Sequence, residues 1–126
     1  MKTISTDGAP RAIGPYSQAI AEGDFLFLSG QIPLDPATGE LVPGDLSTAV
    51  ERVFDNIEAI LKAEGLGLDD VVRTTVYLRR MSDFSMMNAV YARRFGNHRP
   101  ARSTVAVPEL PKDAPIEIDA IARLRR

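Results

Sequence analysis

The chain has 126 residues, of which 44% are hydrophobic and 25% charged, with a net charge of −2. This is the profile of one soluble globular domain spanning residues 1–126, long enough to bury roughly two-thirds of its unfolded-chain surface, and not of a disordered segment. The slightly acidic balance argues against a protein that coats nucleic acid, and the absence of cysteine removes disulfides, thiolate nucleophiles and cysteine-based metal sites.

The first residues contain no apolar signal-peptide core, and no stretch approaches the length of a membrane-spanning helix, so a cytoplasmic protein is expected. Residues 17–21 and 25–29, separated by Glu22-Gly23-Asp24, read as a β-hairpin. Pro33, Asp35-Pro36 and Thr38-Gly39 then mark a loop. Leu46, Val50, Phe54, Ile57 and Leu61 recur at helical spacing, with Asp45 or Ser47 as the N-cap and Gly65 as the stop. The β-branched run 71–78 predicts a strand. A second helix is expected from a cap at Ser82, stapled by Met81 and Met86, with Phe84, Met87, Tyr91 and Phe95 on one face and Gly96 at its end. Residues 103–107 and 116–124 predict two further strands around the proline-rich stretch 108–115.

The order β-β-α-β-α-β-β predicts an α+β fold in which two helices cover one face of a single mixed sheet. The other face cannot be fully polar. Phe25 and Phe27 oppose Leu26 and Leu28 across one strand, and Glu117, Asp119, Ile121 and Arg123 share the second face of the last strand. A partly apolar second face is most economically covered by another copy of the chain, so self-association is expected.

Few residues can carry chemistry. His98 is the sole histidine, and a lone histidine beside Arg99-Pro100 is more often a surface or capping residue than a catalyst. Gly65-Leu66-Gly67 follows a helix and is succeeded by Asp70 where a dinucleotide loop needs glycine, so it is rejected. One histidine and scattered carboxylates give no metal-ligand spacing. Arg102 at the mouth of a strand and Glu117 inside Ile116-Glu117-Ile118 remain. They are either a structural ion pair at a subunit contact or a functional site. Arg93, Arg94, Arg99 and Arg102 could alternatively form a phosphate-binding patch.

Four separated motifs, Ile13-Gly14-Pro15-Tyr16-Ser17-Gln18-Ala19, Leu28-Ser29-Gly30-Gln31-Ile32-Pro33, Asn88-Ala89-Val90-Tyr91, and Pro100-Ala101-Arg102-Ser103 with Ile116-Glu117-Ile118, resemble the Rid/YjgF family in order and over nearly the whole chain. The resemblance implies a chorismate-mutase-like homotrimer with clefts between neighbouring subunits. It also implies hydrolysis of reactive 2-imino or 2-enamino acids, such as 2-iminobutanoate and 2-iminopropanoate, to 2-keto acids and ammonia. No metal or cofactor is expected, because a protonated imine is already electrophilic. Arg102 would grip the substrate carboxylate and Glu117 would orient water and move protons, with Tyr16, Asn88, Thr104 and the Gly30 backbone at the pocket. Thr104 stands where the family often has cysteine. Other members are described as RNA-directed translation inhibitors or ribonucleases, or as chaperone-like proteins. A relative that acts on aminoacrylate from pyrimidine breakdown shares the motifs. Neither an aromatic-plus-basic RNA surface nor a chaperone signature is visible in the sequence.

Overall fold

Asp45 starts the first helix, α1 (Leu46–Ala63): its Oδ1 accepts hydrogen bonds from the Thr48 backbone N–H at 2.9 Å and the Thr48 hydroxyl at 3.0 Å. Gly65, at φ 71°, ends it. The Gly65 N–H returns to Lys62 O and the Leu66 N–H to Leu61 O, both at 2.9 Å, while Leu61 and Leu66 bury together. The expected stripe is buried along α1, with Val53 and Ile60 widening it and Leu46 at its margin.

The computed structural model describes residues 1–125. Its strands are β1 (Lys2–Ile4), β2 (Ala19–Glu22), β3 (Phe25–Gln31), β4 (Val71–Leu78), β5 (Ala101–Ala106) and β6 (Ile116–Arg123), with the second helix, α2 (Phe84–Phe95), between β4 and β5. They form one mixed sheet in the order β1-β2-β3-β6-β4-β5, in which β5 runs parallel to β4 and every other pairing is antiparallel. The fold is thus the expected α+β sheet with two helices, extended by the short N-terminal strand β1. Among the described residues no helix is long and apolar enough to cross a membrane.

One face is dry. Leu26 and Leu28 of β3, Val71, Val76 and Leu78 of β4, and Ile116, Ile118, Ala120 and Ala122 of β6 pack under both helices. Phe54 of α1 meets Tyr91 and Phe95 of α2 edge-on, at ring-centroid distances of 5.7 and 5.5 Å. The opposite face keeps Phe25 at 40%, Phe27 at 44% and Val105 at 43% exposure, so the two-sided apolar character read from the sequence is real.

The second helix begins differently from expectation. Residues Met81–Asp83 form a 3₁₀ turn and the N-cap position is Asp83, so Ser82 lies inside the turn, where no side-chain cap bond forms. The staple positions move with it. Met81 and Met86 stay about half exposed, while Met87, one turn into the helix, is fully buried.

Candidate active site

The floor of the candidate site is shaped by a β-bulge. Between Leu28 and Gln31 the β3–β6 register slips, so that Ser29 and Gly30 together oppose Asp119. Gly30 lies against Glu117. A Cβ built on Gly30 would stand 2.3 Å from Glu117 Oε2 and 2.7 Å from its Cδ, so no larger residue fits while that carboxylate keeps its place.

Glu117 is half-buried on the open face of the sheet, directly opposite Tyr77 of β4. Burial, and then the neighbouring charge of Asp119, push its carboxyl above the ordinary glutamate value. Asp119 accepts a hydrogen bond from the Tyr77 hydroxyl at 3.3 Å, and burial together with both carboxylates raises the Tyr77 phenol in turn. Beside Glu117 opens a cleft of about 510 Å³, walled by Ile13, Tyr16, Ile32, Leu34 and Lys112. Asn56, buried in α1, holds one wall by donating to Leu34 O at 3.0 Å and Ile32 O at 3.4 Å.

Arg102 lies elsewhere. It pairs with Thr74 across the parallel β4–β5 ladder and therefore shares the helix-covered face, whereas Glu117, paired with Tyr77, points to the other. The guanidinium carbon sits 4.7 Å from the Tyr91 ring centroid and 5.5 Å from that of Phe84, and Nη1 donates to Asn88 Oδ1 at 2.7 Å. Tyr91 is itself fixed by a 2.7 Å hydrogen bond with Thr74. Thr104, two residues along β5 and opposite Val76, is half-buried on the same side as Arg102. A second hollow of about 400 Å³ opens beside Asn88, Tyr91, Arg99 and Arg102.

The predicted site residues therefore fall into two groups within one chain. Tyr16, Gly30 and Glu117 share the cleft, whereas Asn88, Arg102 and Thr104 cluster beneath α2 at the sheet edge. No Arg102–Glu117 ion pair forms within the chain; Arg102 has a neutral partner instead.

The other candidates resolve into structure. His98 Nε2 lies 2.6 Å from Val71 O, and its ring packs on Phe95 at 6.0 Å between centroids. Arg94 bonds Glu51 at 2.8 Å and Asp55 at 3.0 Å, with Glu58 at 3.4 Å, and Arg93 also pairs with Glu51. Two of the four arginines of the supposed phosphate patch are thus spent on α1. Sequence reasoning missed Gln18, a buried amide behind the cleft, and the turn Lys112–Asp113, both non-glycine residues at positive φ (56° and 60°). A polar residue leading into the apolar run Ala19-Ile20-Ala21 is the only signal that could have flagged Gln18.

The chain matches the family described as Endoribonuclease L-PSP over residues 6–124. A RutC family protein of Pyrococcus horikoshii is 56% identical to it over 121 residues, 96% of each chain. A 2-iminobutanoate/2-iminopropanoate deaminase of Escherichia coli K12 is 48% identical over 124 residues, again 96% of each. The crystal structure of E. coli TdcF with bound serine superposes with a TM-score of 0.94 at 42% identity, covering 99% of this chain and 100% of that one.

Proposed function

The chain belongs to the Endoribonuclease L-PSP family, also called YjgF/RidA, and from that premise we propose that it is a cytoplasmic, cofactor-independent deaminase. It hydrolyses small 2-imino and 2-enamino acids, 2-iminobutanoate and 2-iminopropanoate among them, to 2-keto acids and ammonia. The observation that carries this reading is Glu117, a half-buried carboxyl with a raised proton affinity, set against a glycine at the floor of an open cleft. The E. coli relative named as such a deaminase, and TdcF with its bound amino acid, support the substrate class.

The chemistry needs a base, an anchor and a water. The Glu117 carboxylate takes a proton from water as the water oxygen adds to the electrophilic iminium carbon, leaving a neutral amino group on a tetrahedral carbon. Glu117 then returns that proton to the nitrogen. The C–N bond breaks, the carbonyl forms, and the hydroxyl proton departs with the nitrogen as ammonium. Transfer by a positioned carboxyl of suitable proton affinity is worth ~10²–10⁴-fold. The Arg102 guanidinium, with Nη1 on Asn88, keeps further N–H groups to hold a substrate carboxylate.

Anchor and base lie on opposite faces of one chain's sheet, so a complete site takes Glu117 from one copy and Arg102 from its neighbour. A homotrimer with three such clefts joins the open face, rich in Phe25, Phe27 and Val105, to a neighbouring edge. The test is a coupled assay. Threonine dehydratase releases the imine, and keto-acid formation is expected to accelerate when this protein is added. No acceleration, with the protein a 13.7 kDa monomer by light scattering, overturns both the activity and the shared cleft.

A further inference from the structure

Residues between β1 and β2 form a long arm without regular structure that carries Ile13 and Tyr16 to the Glu117 cleft. From Arg11 to Tyr16 its side chains are mostly exposed, and the backbone hydrogen bond within this stretch is a local one, from the Tyr16 N–H to Gly14 O at 2.9 Å. By composition it should be loose. Its root is not, and the reason is one side chain.

Gln18 is only 4% exposed. Its Oε1 accepts the Thr6 N–H at 2.7 Å, and its Nε2 reaches Thr6 O at 3.0 Å, Pro10 O at 2.8 Å and Ala9 O at 3.3 Å. One amide thus satisfies backbone groups along five residues of chain, in a place where leaving them unpaired would be costly. The same residue's backbone oxygen accepts the Ser29 N–H at 2.9 Å, while the Ser29 hydroxyl donates to Ser17 O at 2.5 Å. Ser29 is the bulge residue next to Gly30. Gln18 therefore ties the arm's root to the bulge against which Glu117 rests.

We infer that Gln18 is a positioning residue: its side-chain amide fixes the root of the 10–16 arm so that Tyr16 and Ile13 stand as a wall of the Glu117 cleft. Gln18 touches no reacting atom in this scheme; it acts through the arm. The kinetic part of the inference rests on the deaminase reading above, and the conformational part does not.

The experiment compares wild type with Gln18→Met, of similar length but without polar atoms. Two conformational readouts are used, exchange of the Thr6 amide and the rate of tryptic cleavage after the exposed Arg11. Both are expected to rise about tenfold, the effect of roughly one net hydrogen bond, while protection in α1 and β6 stays unchanged. Hydrolysis of 2-iminobutanoate is expected to lose about tenfold in kcat/KM, most of it in KM, and Tyr16→Ala is expected to cost less in Gln18→Met than in wild type. If Gln18→Met does not fold, Gln18→Glu keeps the volume and the acceptor for Thr6 but loses the donors, and the Arg11 cleavage and kinetics are read there.

Unchanged cleavage at Arg11 in a folded variant overturns the inference, whether or not the wild type is a deaminase. So does a loosened arm with unchanged kcat/KM in an active wild type, or protection lost equally in α1, β6 and the arm. A wild type that hydrolyses no imine overturns the deaminase reading alone, and the cleavage comparison still decides the role of Gln18.

Discussion

Among the described residues, two arginines rest on aromatic rings. Arg94 lies 5.4 Å from the centroid of Phe54, and Arg102 lies 4.7 Å from that of Tyr91. Around Arg94 the chain supplies Glu51, Asp55 and Glu58, and the side chain is only 14% exposed. Around Arg102 it supplies the neutral amide of Asn88 and, among the described residues, no carboxylate salt-bridge partner. An arginine that staples two helices carries its countercharge with it. Under the function proposed above, the arginine that is stacked, aimed and left without a countercharge is the one that takes the substrate's carboxylate, because its geometry is fixed while its charge stays unneutralised.

That contrast can be broken or sharpened by measurement. The largest effect belongs to the group that completes the proposed Arg102 site: Glu117→Gln keeps shape but cannot take a proton, and a loss of ~10²–10⁴-fold in kcat is expected, with assembly and Tm nearly unchanged. A large drop in Tm with turnover intact would make Glu117 structural. Arg102→Ala is expected to lose about a hundredfold or more in kcat/KM while remaining folded, and Arg102→Lys to recover part of it, since ammonium lacks the planar fork. Arg94→Ala should do the reverse, lowering stability by about 1–3 kcal/mol in chemical denaturation with kcat/KM near wild type. If these two variants behave alike, the contrast fails.

Asn88→Ala should cost less than Arg102→Ala, about tenfold in kcat/KM, because it releases the guanidinium without removing it. The smallest effect is in pH dependence. In the proposed mechanism Glu117 works deprotonated, and its proton affinity is raised, so kcat/KM should fall as pH drops through that raised value, at higher pH than for an ordinary glutamate. Asp119→Asn removes a charge that raises it and should move this limb to lower pH. The stability sign is opposite to that of a salt-bridged acid. The folded state holds the Glu117 proton more tightly than the unfolded chain, so this group's contribution improves as pH falls through its folded value.

Much of the architecture was legible because it follows local periodicity. The stripe from Leu46 to Leu61, the Asp45 cap and the Gly65 stop can each be read from neighbouring residues, and the alternation in Ile116–Arg123 separates its two faces. What was hidden depends on partners far along the chain. The three-residue strand Lys2–Ile4 exists only because β2 presents an edge to it. The separation of Arg102 from Glu117 follows from which β4 residue each faces, Thr74 or Tyr77, and that register is a long-range property. Gln18 stands within the motif at residues 13–19, yet nothing local says that its amide will meet Thr6, Ala9 and Pro10.

The bulge at Ser29–Gly30 makes β3 a strand that skips a beat. Leu28 and Gln31 are three residues apart yet both turn toward the helices, opposite Ala120 and Ile118. The cleft floor is consequently encoded in the length of this strand as much as in its letters. Deleting one residue there would restore strict alternation and leave Leu28 and Gln31 facing the helices, since two residues apart they again share a face; what would be lost is the extra residue opposite Asp119, and with it the bulge that brings Gly30 against Glu117.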